Sequence, residues 1–173
     1  MGQREHRRAG RLVVPCAVLT VSDTRDESSD RSGGFIRSAL RRAGHLVAEH
    51  RILRDEPRRI ASWLRALAKR GEVRAVLITG GTGIAPRDRT HEAVSALLEK
   101  TLPGFGELFR ALSYRQVGAA AMLSRAVAGT FGGMIVFSMP GSEPAVRLAM
   151  RRLILPELGH SAALLEPRGR GKR

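Results

Sequence analysis

The sequence predicts a three-layer α/β fold with a mostly parallel central sheet, and three observations predict it. Short, almost continuously apolar runs end in small polar or glycine-rich turns: VVPCAVLTV before Ser22, VRAVLIT before Gly80, and MIVFSM before Pro140. Segments with the spacing of amphipathic helices lie between these runs. The runs are apolar along their length rather than at alternate positions, as strands are when helices cover both faces of a parallel sheet.

Each element follows in order. The first strand is VVPCAVLTV. A first helix carries Phe35, Ile36, Ala39, Leu40 and Ala43 at helical spacing, with Ser32 as its expected N-cap and Gly44 as its stop. HLVAEHRIL supplies a second strand. The next helix holds Ile60, Trp63, Leu64 and Leu67, begins just after Pro57 and ends at Gly71, the proline-in, glycine-out asymmetry of helices. VRAVLIT is the third strand, and Thr90 is placed to cap a helix bearing Val94, Leu97 and Leu98. Residues 103–129 fit short helices or an extended hairpin equally well. MIVFSM then forms a last strand, followed by a helix with Val146, Ala149, Met150, Leu153 and Ile154 on its inner face.

The chain has 173 residues, 43% of them hydrophobic, enough for one sizeable core. A single domain is expected over residues 12–165, between two basic tails, 1–11 and 166–173, that read as disordered. No apolar run approaches the ~20 residues of a membrane span, and no apolar segment follows the basic N-terminus, so a soluble cytoplasmic protein is expected. The formal charge is +14, and each tail contributes +3 of it. Nucleic acid is not the expected partner, because the seven aromatic residues are too scattered to form a stacking platform. A positive field of this size instead favours small anionic ligands, with phosphate esters the obvious class. Cys16, the one cysteine, sits inside an apolar strand and reads as a small buried hydrophobe. The five histidines, His6, His45, His50, His91 and His160, have no zinc-ligand spacing and are assigned to surface or capping positions.

Ligands of open α/β sheets bind beyond the carboxyl ends of the strands, where all the polar turns above lie. The loop TGGTG places three glycines in four positions, which lets successive amides approach an anion; a plain strand-to-helix turn would need fewer. Asp88 follows this loop. A carboxylate beside a phosphate cradle is unfavourable unless a cation lies between them, and Mg2+ prefers one or two carboxylates with phosphate oxygens and waters. Asp55 and Glu56 form a second acidic pair, which also suits the first turn of a helix. Within the polar run after the first strand, Ser22 and Asp23 are candidate ligand contacts, and Thr20 offers a hydroxyl. Residues 25–30 read largely as surface loop.

TVSDT at the first strand end, DRSG opening the first helix, the Asp55–Glu56 pair, TGGTG followed by R-D-x-T-x-E-A, PGFGELFR-x-LSY, SRAVAG and PGS-x-x-AV occur in this order. Together they resemble the MoaB/Mog family of molybdenum-cofactor biosynthesis proteins over roughly residues 14–160, with FGELFRALSY and SRAVAG closer to the MoaB branch. The resemblance implies a molybdopterin adenylyltransferase, in which the terminal phosphate of molybdopterin attacks the α-phosphorus of ATP and pyrophosphate leaves. It implies Asp55 and Asp88 as the catalytic and Mg2+-holding carboxylates. Gly80, Gly81, Thr82 and Gly83 would line the nucleotide and phosphate cradle; Thr20, Ser22, Asp23, Ser124, Arg125, Pro140, Gly141 and Ser142 would contact ligand. It further implies homo-oligomers, trimers or hexamers, and contact with the metal-insertion enzyme. The chain departs from the family pattern at Arg54, where a proline usually precedes the aspartate, and at Arg89 and His91. A non-catalytic molybdopterin-binding MoaB paralogue, which shields or hands on the pterin, is the alternative reading.

Overall fold

The computed structural model describes residues 12–165, so the two basic tails lie outside the described residues. A six-stranded sheet of order β2-β1-β3-β6-β5-β4 forms the centre. Its members are β1 (Pro15–Val21), β2 (Leu46–Leu53), β3 (Ala75–Thr79), β4 (Lys100–Thr101), β5 (Val127–Phe131) and β6 (Met134–Met139). β2, β1, β3 and β6 run parallel, while β5 and β4 add an antiparallel edge. The mostly parallel α/β sheet is thus as the apolar runs predict.

Both faces of the sheet are covered. On one, Cys16 and Val18, Ala75 and Leu77, and Ile135, Phe137 and Met139 pack against α1 (Arg31–Arg42), α4 (Pro103–Val117) and the C-terminal helical segment. On the other, Ala17 and Leu19, Val76 and Ile78, and Met134 and Val136 meet α2 (Pro57–Arg70) and α3 (Thr90–Ser95). Alternate residues of each strand therefore enter opposite cores, which is why these strands are apolar throughout. Edge strand β2 instead carries Glu49, His50 and Arg51, and β4 has only two residues, both features that discourage edge-to-edge pairing.

Residues 103–129 follow the helical reading, and only their last three enter a strand. Pro103–Val117 is helical, a 3₁₀ segment covers Gly118–Leu123, and β5 with β6 forms a hairpin. Gly132 and Gly133 turn that hairpin at φ +55° and +76°, the conformation of a two-residue primed turn. The C-terminal segment runs as α5 (Glu143–Ala149), a π-helical turn over Met150–Ile154, and α6 (Leu155–Leu164). Pro156 stands at the start of α6, where it has no amide to give the preceding turn, and the wider π turn accommodates it.

Two helix starts differ from the sequence expectation. Asp30, not Ser32, caps α1: its carboxylate accepts from the Gly33 amide at 2.8 Å. α3 begins at Thr90 itself, with Arg89 as the preceding cap residue, and ends at Ser95, short of Leu97 and Leu98. Gly71 closes α2 in the left-handed conformation, as the glycine stop predicts. Cys16 is fully buried and its thiol is pushed up to about 12 by burial. Among the described residues no helix is long and apolar enough to cross a membrane.

Candidate active site

The glycine loop joins β3 to the segment before α3, and close approach on three sides dictates its glycines. A Cβ on Gly80 would stand 2.2 Å from the Val21 carbonyl oxygen, at the end of β1. One on Gly81 would stand 2.1 Å from Thr90 Oγ1 and 2.2 Å from Asp55 Oδ2, and one on Gly83 2.5 Å from Asp88 Oδ2. Gly80 and Gly81 also adopt φ of +108° and +62°. Among the described residues no protein acceptor meets the amides of Gly81, Thr82 or Gly83.

Asp55 and Asp88 therefore both pack on this loop, one against Gly81 and one against Gly83. Asp55 follows β2 and reaches across to α3, accepting from the Arg89 amide at 3.1 Å and from Thr90 Oγ1 at 3.0 Å. Its carboxyl is nevertheless raised above the usual carboxylate range, chiefly by burial, with the charges of Asp88 and Asp23 adding to the rise and the two hydrogen bonds opposing it. Asp88 accepts from the Ala85 amide at 3.0 Å, a local turn that leaves the rest of its carboxylate open. Neither aspartate has an ion-pair partner among the described residues. Two carboxylates packed on one glycine loop, with no cation paired to them, offer oxygen donors of the kind a hard divalent ion takes; Asp88 lines the hollow beside the loop, while Asp55 lies behind Gly81, outside that lining.

The loop forms one wall of a hollow of about 590 Å³. Ser22, all four residues Gly80–Gly83, Asp88, Ser124, Pro140, Gly141 and Ser142 line it, so the strand-end turns nominated from the sequence do converge. Facing them, Phe109 and Val117 of α4 and Leu123 of the 3₁₀ segment supply an apolar wall, with Ser113 and Gln116 beside it. Sequence reasoning missed that wall and also Arg25. The ALSYRQV stretch, with Ser113 and Gln116 on a helix rich in apolar residues, was the available signal.

Two nominated residues, Thr20 and Asp23, and one read as surface loop, Asp30, sit differently from the sequence expectation. Thr20 is fully buried, and its hydroxyl donates to Asp30 Oδ2 at 2.7 Å; it supports the α1 cap rather than facing ligand. Asp30, read as surface loop, is buried and also meets His50 Nε2 at 3.1 Å. Asp23 is exposed and pairs with Arg87 at 2.8 Å, close enough to Asp55 to act on its charge but outside the lining of the hollow.

Arg125 is committed to the loop's far side. Nε donates to the Gly83 carbonyl at 2.8 Å, Nη2 to the Asp88 carbonyl at 2.7 Å, and Nη1 to Glu92. Its own amide donates to the Thr82 carbonyl at 3.1 Å, so one residue holds the C-terminal half of the glycine turn. His91 adds to this clamp, Nδ1 lying 2.7 Å from the Arg125 carbonyl, which makes that nitrogen the protonated one. His50 and His91 thus serve internal hydrogen bonds, not only surface or capping positions. The departures from the family pattern fit this geometry, because Arg89 meets Asp55 through its backbone amide alone and Arg54 is exposed.

Residues 17–160 match the family described as the probable molybdopterin binding domain. The chain is 51% identical over 161 residues to molybdenum cofactor biosynthesis protein B of Halalkalibacterium halodurans, covering 92% of this chain and 95% of that one. A crystal structure of a molybdenum cofactor biosynthesis protein B shares 52% identity at a TM-score of 0.86, over 89% of this chain and 96% of the other. The tungsten cofactor synthesizing protein MoaB of Pyrococcus furiosus shares 36% at 0.79, over 90% and 98%. With half its residues unchanged in a near full-length relative and the fold retained, the chain belongs to the MoaB/Mog family of molybdenum-cofactor biosynthesis proteins.

Proposed function

We propose that the protein acts in molybdenum cofactor biosynthesis by transferring the adenylyl group of ATP to molybdopterin. An oxygen of the pterin's terminal phosphate forms a bond to the α-phosphorus, the bond from that phosphorus to the bridging oxygen breaks, and pyrophosphate leaves. In such transfers a protein mainly positions the reactants and offsets developing charge. The observation that carries the reading is the packing of Asp55 and Asp88 on one amide-bearing glycine loop at the edge of a hollow sized for a small ligand.

Each group has a task in this scheme. The amides of Gly81, Thr82 and Gly83 donate to phosphate oxygens, the arrangement of an anion nest. Ser22, Ser124 and Ser142 offer hydroxyls, and Phe109, Val117 and Leu123 give a planar ring an apolar surface and exclude water. Asp55 and Asp88 would hold Mg2+, which when bound neutralises charge on the phosphates. Burial and neighbouring acids raise Asp55, so a cation there relieves a repulsion already built into the site. The same reading includes assembly into trimers or hexamers, for which sedimentation is the test.

The experiment is direct. Purified protein is mixed with molybdopterin, ATP and Mg2+, and adenylated pterin and pyrophosphate are followed, with Asp55→Ala as control. Formation of both products by the native chain and not by the variant is expected. Tight molybdopterin binding without either product would select the non-catalytic, pterin-handling reading instead.

A further inference from the structure

We propose that Arg25 is the residue that receives the negative charge of a bound phosphate inside the hollow, an inference that rests on the transferase reading above. Of the residues lining the hollow, Arg25 is the sole cation among those described. Arg125, the basic residue singled out by the sequence motif, has its guanidinium occupied by two carbonyls and Glu92 on the outer side of the glycine turn. A hollow that takes two phosphate-bearing reactants on that reading, and whose lining includes the carboxylate of Asp88, has this one arginine to oppose the sign.

Local structure holds Arg25 in place for that task. Its amide donates to Ser22 Oγ at 3.1 Å, and the neighbouring Thr24 amide meets the same oxygen at 3.3 Å, so the hydroxyl of Ser22 folds the loop after β1 back on itself. At its other end, Arg25 Nη1 donates to the Gly141 carbonyl at 3.2 Å. That carbonyl also accepts from Ser32 Oγ at 2.9 Å. Gly141 is pinned in turn against Gly80, whose Cα would lie 3.2 Å from a Gly141 Cβ. The guanidinium is thereby fixed between the β1 and β6 ends, on a carbonyl that is itself held, while most of its five N–H donors stay unspent. No carboxylate lies within ion-pair distance of it among the described residues. A planar, pre-oriented guanidinium with free parallel donors is the geometry for bidentate phosphate recognition, and a lysine at this place would keep the charge and lose the fork.

The phosphate can belong to ATP or to the pterin's monoester, and the test separates them. Binding of Mg-ATP, molybdopterin and the uncharged adenosine is measured by calorimetry on the full chain, native, Arg25→Gln and Arg25→Lys, with melting temperatures of the ligand-free proteins. Arg25→Gln is expected to weaken at least one phosphate-bearing ligand roughly 10- to 100-fold and leave adenosine binding unchanged, with Arg25→Lys intermediate. Loss confined to Mg-ATP assigns the triphosphate, and loss confined to molybdopterin assigns the monoester. Equal affinity of native protein and Arg25→Gln for both charged ligands overturns the assignment while leaving the transferase reading intact. Parallel loss for adenosine, with a lowered melting temperature, overturns it too by making Arg25 a loop tether only. A native protein that binds neither charged ligand overturns the transferase reading itself, and Arg25's role with it.

Discussion

Asp55 Oδ2 lies 2.2 Å from the point where a side chain on Gly81 would begin. The acid and the glycine loop are therefore fitted to each other, and only a residue without a Cβ lets Asp55 sit at the loop while Thr90 Oγ1 holds its other oxygen at 3.0 Å. Gly81→Ala must displace Asp55, Thr90 or the turn, at a φ of +62° that alanine disfavours by roughly 1–2 kcal/mol. The variant is expected to melt several degrees lower and to lose roughly 100-fold in turnover, the scale of an ångström-level misplacement of a reacting group. Calorimetric melting and the pyrophosphate assay check both.

The raised carboxyl of Asp55 makes a stability prediction whose sign is fixed. A group whose folded pKa exceeds its unfolded value binds its proton more tightly in the folded state, so the folded protein loses stability as pH rises through that range. Asp55→Asn removes the ionised form. At pH 7 to 8, without metal or nucleotide, the variant should melt at or above the native temperature while turning over no substrate. The difference should shrink as pH falls through and below the ordinary aspartate range, where the carboxyl becomes protonated in the folded and unfolded states alike.

Arg125 tests the clamp on the outside of the loop. Lysine keeps the charge but cannot reach the carbonyls of Gly83 and Asp88 and the carboxylate of Glu92 together. Arg125→Lys is expected to cost about 1–3 kcal/mol of stability, the scale of polar groups left unpaired, and to lower kcat more than it raises KM. Urea denaturation and steady-state kinetics on one preparation provide the comparison.

Cys16 offers a control on the fold. Fully buried, and with its thiol pushed up to about 12, it carries almost no thiolate at neutral pH. A colorimetric thiol reagent should find no reactive sulfur in the native protein and one equivalent after unfolding in guanidinium.

What was legible in the sequence was local. Strands buried on both faces announce themselves as apolar runs, and the TGGTG loop announces itself because only glycine tolerates its three close approaches. Asp30 was harder, since its burial depends on Thr20 and His50, 10 and 20 residues away, which pairing across β1 and β2 brings to it. Arg125 reaches Gly83 across 42 positions, so its motif marked it as basic without revealing that the loop's own carbonyls occupy it. The apolar wall escaped because Phe109 and Val117 face the hollow only once the helix of residues 103–117 is packed on the sheet. Arg25 escaped because a polar loop between charged neighbours looks like solvent-exposed chain until Gly141 is seen beside it.

The central claim is that Asp55 and Asp88 jointly hold a divalent ion against a triphosphate, and metal binding measures it without turnover. Manganese, whose oxygen-rich octahedral preference parallels that of magnesium, is titrated into the protein with a non-hydrolysable ATP analogue and bound ion is read by electron paramagnetic resonance. The native chain should bind one ion only when the analogue is present, and Asp55→Asn and Asp88→Asn should each weaken it at least tenfold. Undiminished, nucleotide-dependent binding in the double variant would contradict the account.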